Sequence, residues 1–477
     1  MGHSTLSNEL TSRSATELAA LIRAGKASPV EIVEAHLKRI EQFNPSLNAI
    51  VTLAEDAIDR ARAAESVVMS GQEIGSLHGV PLTVKDTIET EGLRTTAGSR
   101  LLANNIPNRD AAVVARLKSA GAIIIGKTNA PEMAAYYETD NPVFGHTNNP
   151  HDLNRTAGGS SGGEAAAIAA CLSPAGIGSD LAGSIRLPAH FCGIAGLKPT
   201  TQHVPVEGHI PAVTGPLSLG AAIGPLGRKV ADLATLFGII RDENPSEPGH
   251  TALQNSSLKG LRASWYLSDG VAPVDEEIAR AVERAGDALR DAGLEVDQGK
   301  PPGISQGPRL WVELFSRTVL RQLSEFYRGR EDEAGPQVAM MIARAGKEAV
   351  DMAAKIRAAE QLAKAIVERE RLREELIRWM MTTPLIIAPV GGTCAWPHGA
   401  RRVEIRGESV SVWRAFSYSQ TFNVFGLPSV SIPAGLSTQG LPIGVQIIGL
   451  PFSERLLLAA ASIVEQSLGG WRRPGQF

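Results

Sequence analysis

The chain has 477 residues, 43% hydrophobic and 20% charged, with a formal net charge of −3, which fits a globular protein and gives no basic footprint for nucleic acid and no acidic tail. Its three scattered cysteines, Cys171, Cys192 and Cys394, are too few for a disulfide framework or a zinc site. No apolar run approaches the roughly 18 residues that span a membrane and the first residues hold no apolar leader, so the expectation is a cytoplasmic protein with no metal, no membrane and no nucleic-acid partner.

Ser14-x-x-Glu17, Ser28-x-x-Glu31 and Thr52-x-x-Glu55 each have the form of a capping box, so residues 14–66 read as three helices. Pro29 takes a first helical position, and Gly25 and Asn44-Pro45 mark ends. Ile32, Ala35, His36, Arg39 and Ile40 fall on one helical stripe, with His36 expected as a partly covered surface residue. From His78 the period changes. Val80–Asp86 is a short β-rich run ending in Lys85 and Asp86, which on pattern alone reads as a solvated strand end. A helix at 110–119 and a buried strand at 122–125 follow. Pro131-Glu132-Met133 reads as the start of another helix, and 141–150 as loop.

Gly158–Thr200 then sets two Gly/Ser loops around a short alanine-rich helix. The alternation of strand and helix is that of an α/β fold, a sheet with helices on its faces. Residues 201–227, rich in Pro and Gly, read as loop. Val230–Ile240 reads as helix, Leu261–Tyr266 as strand and Glu276–Ala292 as an amphipathic helix stopped by Gly293. Residues 309–381 are almost all helical by pattern. Leu385–Pro389, Ser429–Pro433 and Gly444–Ile448 read as buried strands, and Ser453–Gln466 as a last helix. These late strands are expected to rejoin the early sheet, since the segment is too short to bury a core alone.

Gly121-Ala122-Ile123-Ile124-Ile125-Gly126-Lys127-Thr128 has the spacing of a P-loop. A P-loop needs its four spacer residues to wrap phosphate with their amides and a helix to follow at once. Here Ala and three Ile favour a strand, and Asn129-Ala130-Pro131 intervenes, so a strand and turn fit better than a nucleotide site.

The Gly/Ser loops at 158–184 have three readings: a linker, an anion cradle or a nucleophile site. No lysine follows within the loop to hold phosphate. A nucleophilic serine needs a base and backbone amides aimed at the developing oxyanion. Leu181-Ala182-Gly183-Ser184 offers amides and serine from one turn. His151 and His190 belong to no recognisable nucleophile elbow. A lysine whose pKa is lowered by burial can replace histidine, and Lys85, ending an apolar strand, suits that role.

The segment Gly158–Thr200 resembles the defining segment of the amidase signature family. Val84-Lys85-Asp86, Gly126-Lys127-Thr128-Asn129, Pro131-Glu132-Met133, Gly426-Leu427-Pro428 and Gly440-Leu441-Pro442-Ile443-Gly444-Val445-Gln446 resemble its other motifs. The resemblance implies a mixed central β-sheet covered by helices on both faces. It implies one amidase-type domain over 1–477 with a catalytic core over 80–240, while the pattern itself gives the N-terminal helices over 1–70 and a helical insertion over 300–381, which has no clear counterpart in the family and is expected to cover the site. It also implies a Ser–cis-Ser–Lys triad without cofactor: Ser184 as nucleophile, Ser160 as relay beside a cis peptide at Gly159–Ser160 or Ser160–Ser161, and Lys85 as base. The backbone amides of Leu181, Ala182, Gly183 and Ser184 would form the oxyanion hole, with Gly159, Ser161, Asp180 and Arg186 as structural support. The activity implied is hydrolysis of a small-molecule amide, ester or carbamate. The alternatives are the glutaminase-like subunit of a tRNA-dependent amidotransferase and a scaffold that kept the fold. Met133, Tyr136 and Tyr137 are the expected substrate pocket, with Phe144 and Trp311 as further candidates. Ala182 departs from the family's usual glycine, and its methyl is expected to narrow the loop or restrict its φ.

Overall fold

A computed structural model describes residues 9–243, 258–348 and 352–477. Residues 1–8, on which the expectation of no leader rests, and 349–351 of the helical insertion lie outside the described residues. In chain order the strands are β1 (Ile50–Leu53), β2 (Pro81–Lys85), β3 (Ile123–Thr128), β4 (Asn148–Asn149), β5 (Asp152–Thr156), β6 (Ala175–Asp180), β7 (Ala195–Lys198) and β8 (Ala222–Gly227). They continue with β9 (Arg262–Trp265), β10 (Glu295–Gln298), β11 (Leu385–Pro389), β12 (Arg402–Ile405), β13 (Glu408–Ser411), β14 (Ser429–Leu436) and β15 (Pro442–Gly449).

Eleven of these strands form one sheet, ordered β1-β3-β2-β6-β8-β7-β14-β15-β11-β9-β10. Strand β2 runs parallel to β3 and β6, while β8 is antiparallel to β6 and β7, so the sheet is mixed. Strand β14 pairs with β7, which returns the late strands to the early sheet as expected. Strands β2, β3, β6, β7, β8, β11 and β15 are buried at every residue, as strands covered on both faces are.

The capping boxes at Ser14 and Ser28 form, with Pro29 in the first turn of its helix. The third does not. Thr52 lies inside β1, whose β-branched run pairs antiparallel with β3, and the next helix starts only at Ala57. His36 is fully buried, not at the surface, and its Nδ1 lies 2.8 Å from the Ile32 carbonyl. Pro131 opens only a 3-10 turn, Glu132–Ala134, in which Met133 and Ala134 have positive φ. The loop at 201–227 contains β8, and the loop at 141–150 contains β4.

Within Gly121–Thr128, residues Ile123–Thr128 form strand β3, as the isoleucines demand, and Gly121 lies in the turn before it. Lys127 is buried and donates to the Thr90 and Thr95 hydroxyls and the Ile88 carbonyl, which leaves no ammonium for a phosphate. Between Gly307 and Met380 the described residues are mostly helical, with 3-10 and π turns between the helices. A small apolar cluster of Met133, Leu323, Tyr327 and Val338 ties this segment to the core. Within it the Tyr327 hydroxyl donates to Glu132 Oε1 at 2.6 Å and the Gly335 amide to Glu132 Oε2 at 2.8 Å.

Candidate active site

The parallel strands β2 and β6 end side by side, Thr83 and Val84 opposite Gly176 and Ile177. Their ends deliver Lys85, Ser179 and Asp180 to one edge of the sheet, where open α/β sheets place ligands. The helix Gly162–Ala169 packs behind this edge, and the turn before it carries Ser160. The peptide between Gly159 and Ser160 is cis. Lys85 Nζ lies 2.6 Å from Ser160 Oγ and 3.0 Å from Ser179 Oγ. The Ser161 amide donates to the Ser184 carbonyl at 3.1 Å, which pins the second serine loop against the first. Ser161 Oγ also donates to the Ser179 carbonyl at 3.3 Å.

Ser160 and Ser184 open into the same cavity of about 950 Å³. Ser184 is 8% exposed, and its hydroxyl bonds to no described residue. Burial pushes the Lys85 ammonium down to about 7, against the pull of Asp180 and Glu164. Burial likewise pushes the Glu164 carboxyl up to about 7, although the Thr83 and Thr128 hydroxyls donate to it.

Asp180 holds the turn after β6 by accepting from the Gly183 amide at 2.8 Å and the Ile185 amide at 3.1 Å. Arg186 donates to it through Nε at 3.1 Å and Nη2 at 3.0 Å, and Asn423 Nδ2 at 2.9 Å. Burial opposes ionisation of Asp180, but the Arg186 guanidinium outweighs it and holds the carboxyl well below its usual range. Arg186 is braced in turn by Gln446 Oε1 at 2.9 Å and Asn423 Oδ1 at 2.6 Å. Arg186→Met leaves a buried carboxylate without its cation, so unfolding in urea is expected to reveal a loss of about 3–5 kcal/mol.

The carbonyls of the turn are also held. Tyr137 Oη donates to the Ala182 carbonyl and Trp311 Nε1 to the Leu181 carbonyl, both at 2.8 Å. The amides of Leu181, Ala182 and Ser184 bond to no described residue, whereas that of Gly183 is turned onto Asp180. Gly183 has φ +106, and a Cβ there would meet Ser419 Cβ at 2.8 Å, so glycine is required. Ala182 is not among the residues of positive φ, so its methyl imposes no left-handed strain on the turn.

Met133, Tyr136 and Tyr137 all line the cavity, as does Trp311 from the insertion. Phe144 does not; the Arg94 guanidinium covers its ring at 5.0 Å. His151 and His190 are engaged by main-chain groups away from the cavity, at Cys192 and at Thr393 and Gly444. Sequence reasoning missed Ser179, His209, Trp413 and Gln420. Gln420 Nε2 donates to Tyr137 Oη at 3.0 Å, and the Trp413 ring lies 4.5 Å from that of Tyr137. Ser179 has a signal, its place beside Asp180 at the end of the glycine-containing strand β6. The others sit in segments with no motif.

Among the described residues no cluster of His, Cys, Asp and Glu is arranged to hold a metal, and no helix is long and apolar enough to cross a membrane. The family model described as amidase matches residues 31–458. The chain belongs to the amidase signature family. It is an enzyme acting on carbon–nitrogen bonds. A glutamyl-tRNA(Gln) amidotransferase subunit from Thermus thermophilus is 34% identical over 471 residues, covering 94% of this chain and 96% of that protein. An acylamidase of Rhodococcus erythropolis is 37% identical over 333 residues, covering 67% of this chain and 69% of the relative. A crystal structure of an amidase superposes with a TM-score of 0.85 at 28% identity, covering 96% of this chain and all of the other.

Proposed function

We propose that the protein hydrolyses small-molecule amides through an acyl-enzyme on Ser184, with Ser160 as proton relay and Lys85 as base. The observation that carries this reading is the 2.6 Å contact between Lys85 Nζ and Ser160 Oγ, at the wall of the cavity into which Ser184 opens. Ser184 Oγ attacks the carbonyl carbon as its proton passes to Ser160, whose own proton goes to neutral Lys85. The oxyanion faces the amides of Leu181, Ala182 and Ser184. On collapse the C–N bond breaks, and Lys85 returns a proton through Ser160 to the leaving amine. Water then attacks the ester by the same route in reverse.

The cavity wall supports a substrate with an apolar group. Met133, Leu181, Trp311, Val319 and Trp413 face it, and apolar walls with a few polar groups are typical of such sites. Esters and carbamates present the same carbonyl beside a heteroatom and fall within the proposal. The likeness to the Thermus thermophilus amidotransferase favours a second reading, release of ammonia from glutamine. Glutamine is polar at both ends and gains little from this wall. An anilide with an apolar acyl group is therefore expected to exceed glutamine in kcat/KM by about 100-fold or more. A panel of anilides, aliphatic amides, esters, aryl carbamates and glutamine checks this, and preferential ammonia release from glutamine would favour the second reading.

A further inference from the structure

We infer that His209 is a positioning residue for the base: acting through Ser179, it keeps the lone pair of Lys85 turned toward Ser160. The inference rests on the Lys85–Ser160–Ser184 reading above.

His209 lines the cavity just before a cis Ile210–Pro211 bond. Its Nδ1 lies 2.8 Å from the Pro211 carbonyl oxygen. A carbonyl only accepts, so Nδ1 carries the ring proton and Nε2 is a bare lone pair. Nε2 lies 2.9 Å from Ser179 Oγ and 3.5 Å from Thr87 Oγ1. The Ser179 hydroxyl proton is therefore committed to His209, and Ser179 offers Lys85 Nζ, 3.0 Å away, only oxygen lone pairs. The chain has one direction: Lys85 donates to Ser179, Ser179 to His209, and His209 to Pro211.

A neutral amine has two N–H groups and one lone pair. With an N–H spent on Ser179, the lone pair is left for the hydroxyl of Ser160 at 2.6 Å. Without an acceptor at 209, the Ser179 proton can swing onto Nζ and occupy the lone pair that must take the proton of Ser160. Ser179 in its present orientation also accepts from the ammonium, which favours the charged form and strengthens the base. The charged groups acting on Lys85 are Asp180 at the end of β6 and Glu164 on the helix behind it, and both push the same way. Burial pushes the His209 imidazole down to about 4, despite the Pro211 contact and with the Lys85 charge adding to the shift, so it stays neutral where Lys85 titrates. In the reaction the proton moves from Ser184 to Ser160 and from Ser160 to Lys85; Ser179 and His209 exchange none.

The test is the pH dependence of kcat and KM for the full chain on an amide it hydrolyses. His209→Leu is expected to lower the plateau kcat roughly 10- to 100-fold and to move the ascending limb to lower pH. His209→Gln, whose carboxamide oxygen can accept from Ser179, is expected to restore both the limb and most of kcat. In a Ser179→Ala background no hydroxyl remains to be oriented, so adding His209→Leu should cost less than about threefold. His209→Met, also without a strong acceptor, serves if the Leu variant does not fold. An unmoved limb in His209→Leu, or the same loss with and without Ser179, overturns the inference. Unchanged turnover in Ser184→Ala or Lys85→Met would instead overturn the underlying reading, and the inference with it.

Discussion

Ser184→Ala is expected to lower kcat on the order of 10⁴- to 10⁶-fold while leaving the protein folded. The side chain is 8% exposed and its oxygen bonds to no described residue, so its removal breaks no internal hydrogen bond. The unfolding temperature should therefore stay close to that of the wild type, in contrast to Arg186→Met. The residual rate would come from the oxyanion turn, which Asp180, Tyr137 and Trp311 still hold in place. Steady-state kinetics beside a thermal melt separate the two effects. A variant that melts normally yet keeps more than about a hundredth of the wild-type rate contradicts the assignment of the nucleophile.

Lys85 carries the second large effect. Burial disfavours its ammonium and brings it to about 7. The base must be neutral, and the neutral form grows as pH rises, so kcat/KM is expected to climb tenfold per pH unit below about 7 and to level above it. At pH 6 the rate should be near a tenth of the plateau. Lys85→Met should remove this limb and lower the plateau by about 10³-fold or more. Glu164 titrates in the same range, so the substitution, rather than the limb alone, assigns the group. Glu164→Gln should keep an ascending limb.

The residues proposed as a triad are legible in the sequence through motifs that resemble those of the amidase signature family. Ser160 and Ser184 sit in glycine-rich turns whose neighbours, Asp180 and Arg186, are part of the same motif. Lys85 and Asp86 end a run that on pattern alone reads as a solvated strand end, whereas both are buried. Strands such as β11 are legible as an unbroken hydrophobic stretch between breakers. Strand β8 is not. Its sequence, Ala-Ile-Gly-Pro-Leu-Gly, reads as loop, yet it lies between β6 and β7. A Cβ at Gly224 would meet the Leu197 carbonyl oxygen at 2.1 Å, so the close approach of β7 dictates a residue that local pattern assigns to a turn.

The same limit hid parts of the site. His209 lies in a Pro/Gly-rich stretch, and its contact with Ser179, 30 residues away in the chain, depends on tertiary packing that local pattern does not show. Trp311 was visible as an aromatic in a helical segment. That it bonds to the Leu181 carbonyl depends on how the insertion docks. The burial of His36 is not legible because a helical stripe does not say how much covers it, and here it is covered fully.

The most direct test of the mechanism is peptide-mapped mass spectrometry after brief treatment with an aryl fluorophosphonate. One adduct is expected, on Ser184, forming faster as pH rises through about 7 and absent from Ser184→Ala. An adduct confined to another residue, or none on a preparation that still hydrolyses amides, would contradict it.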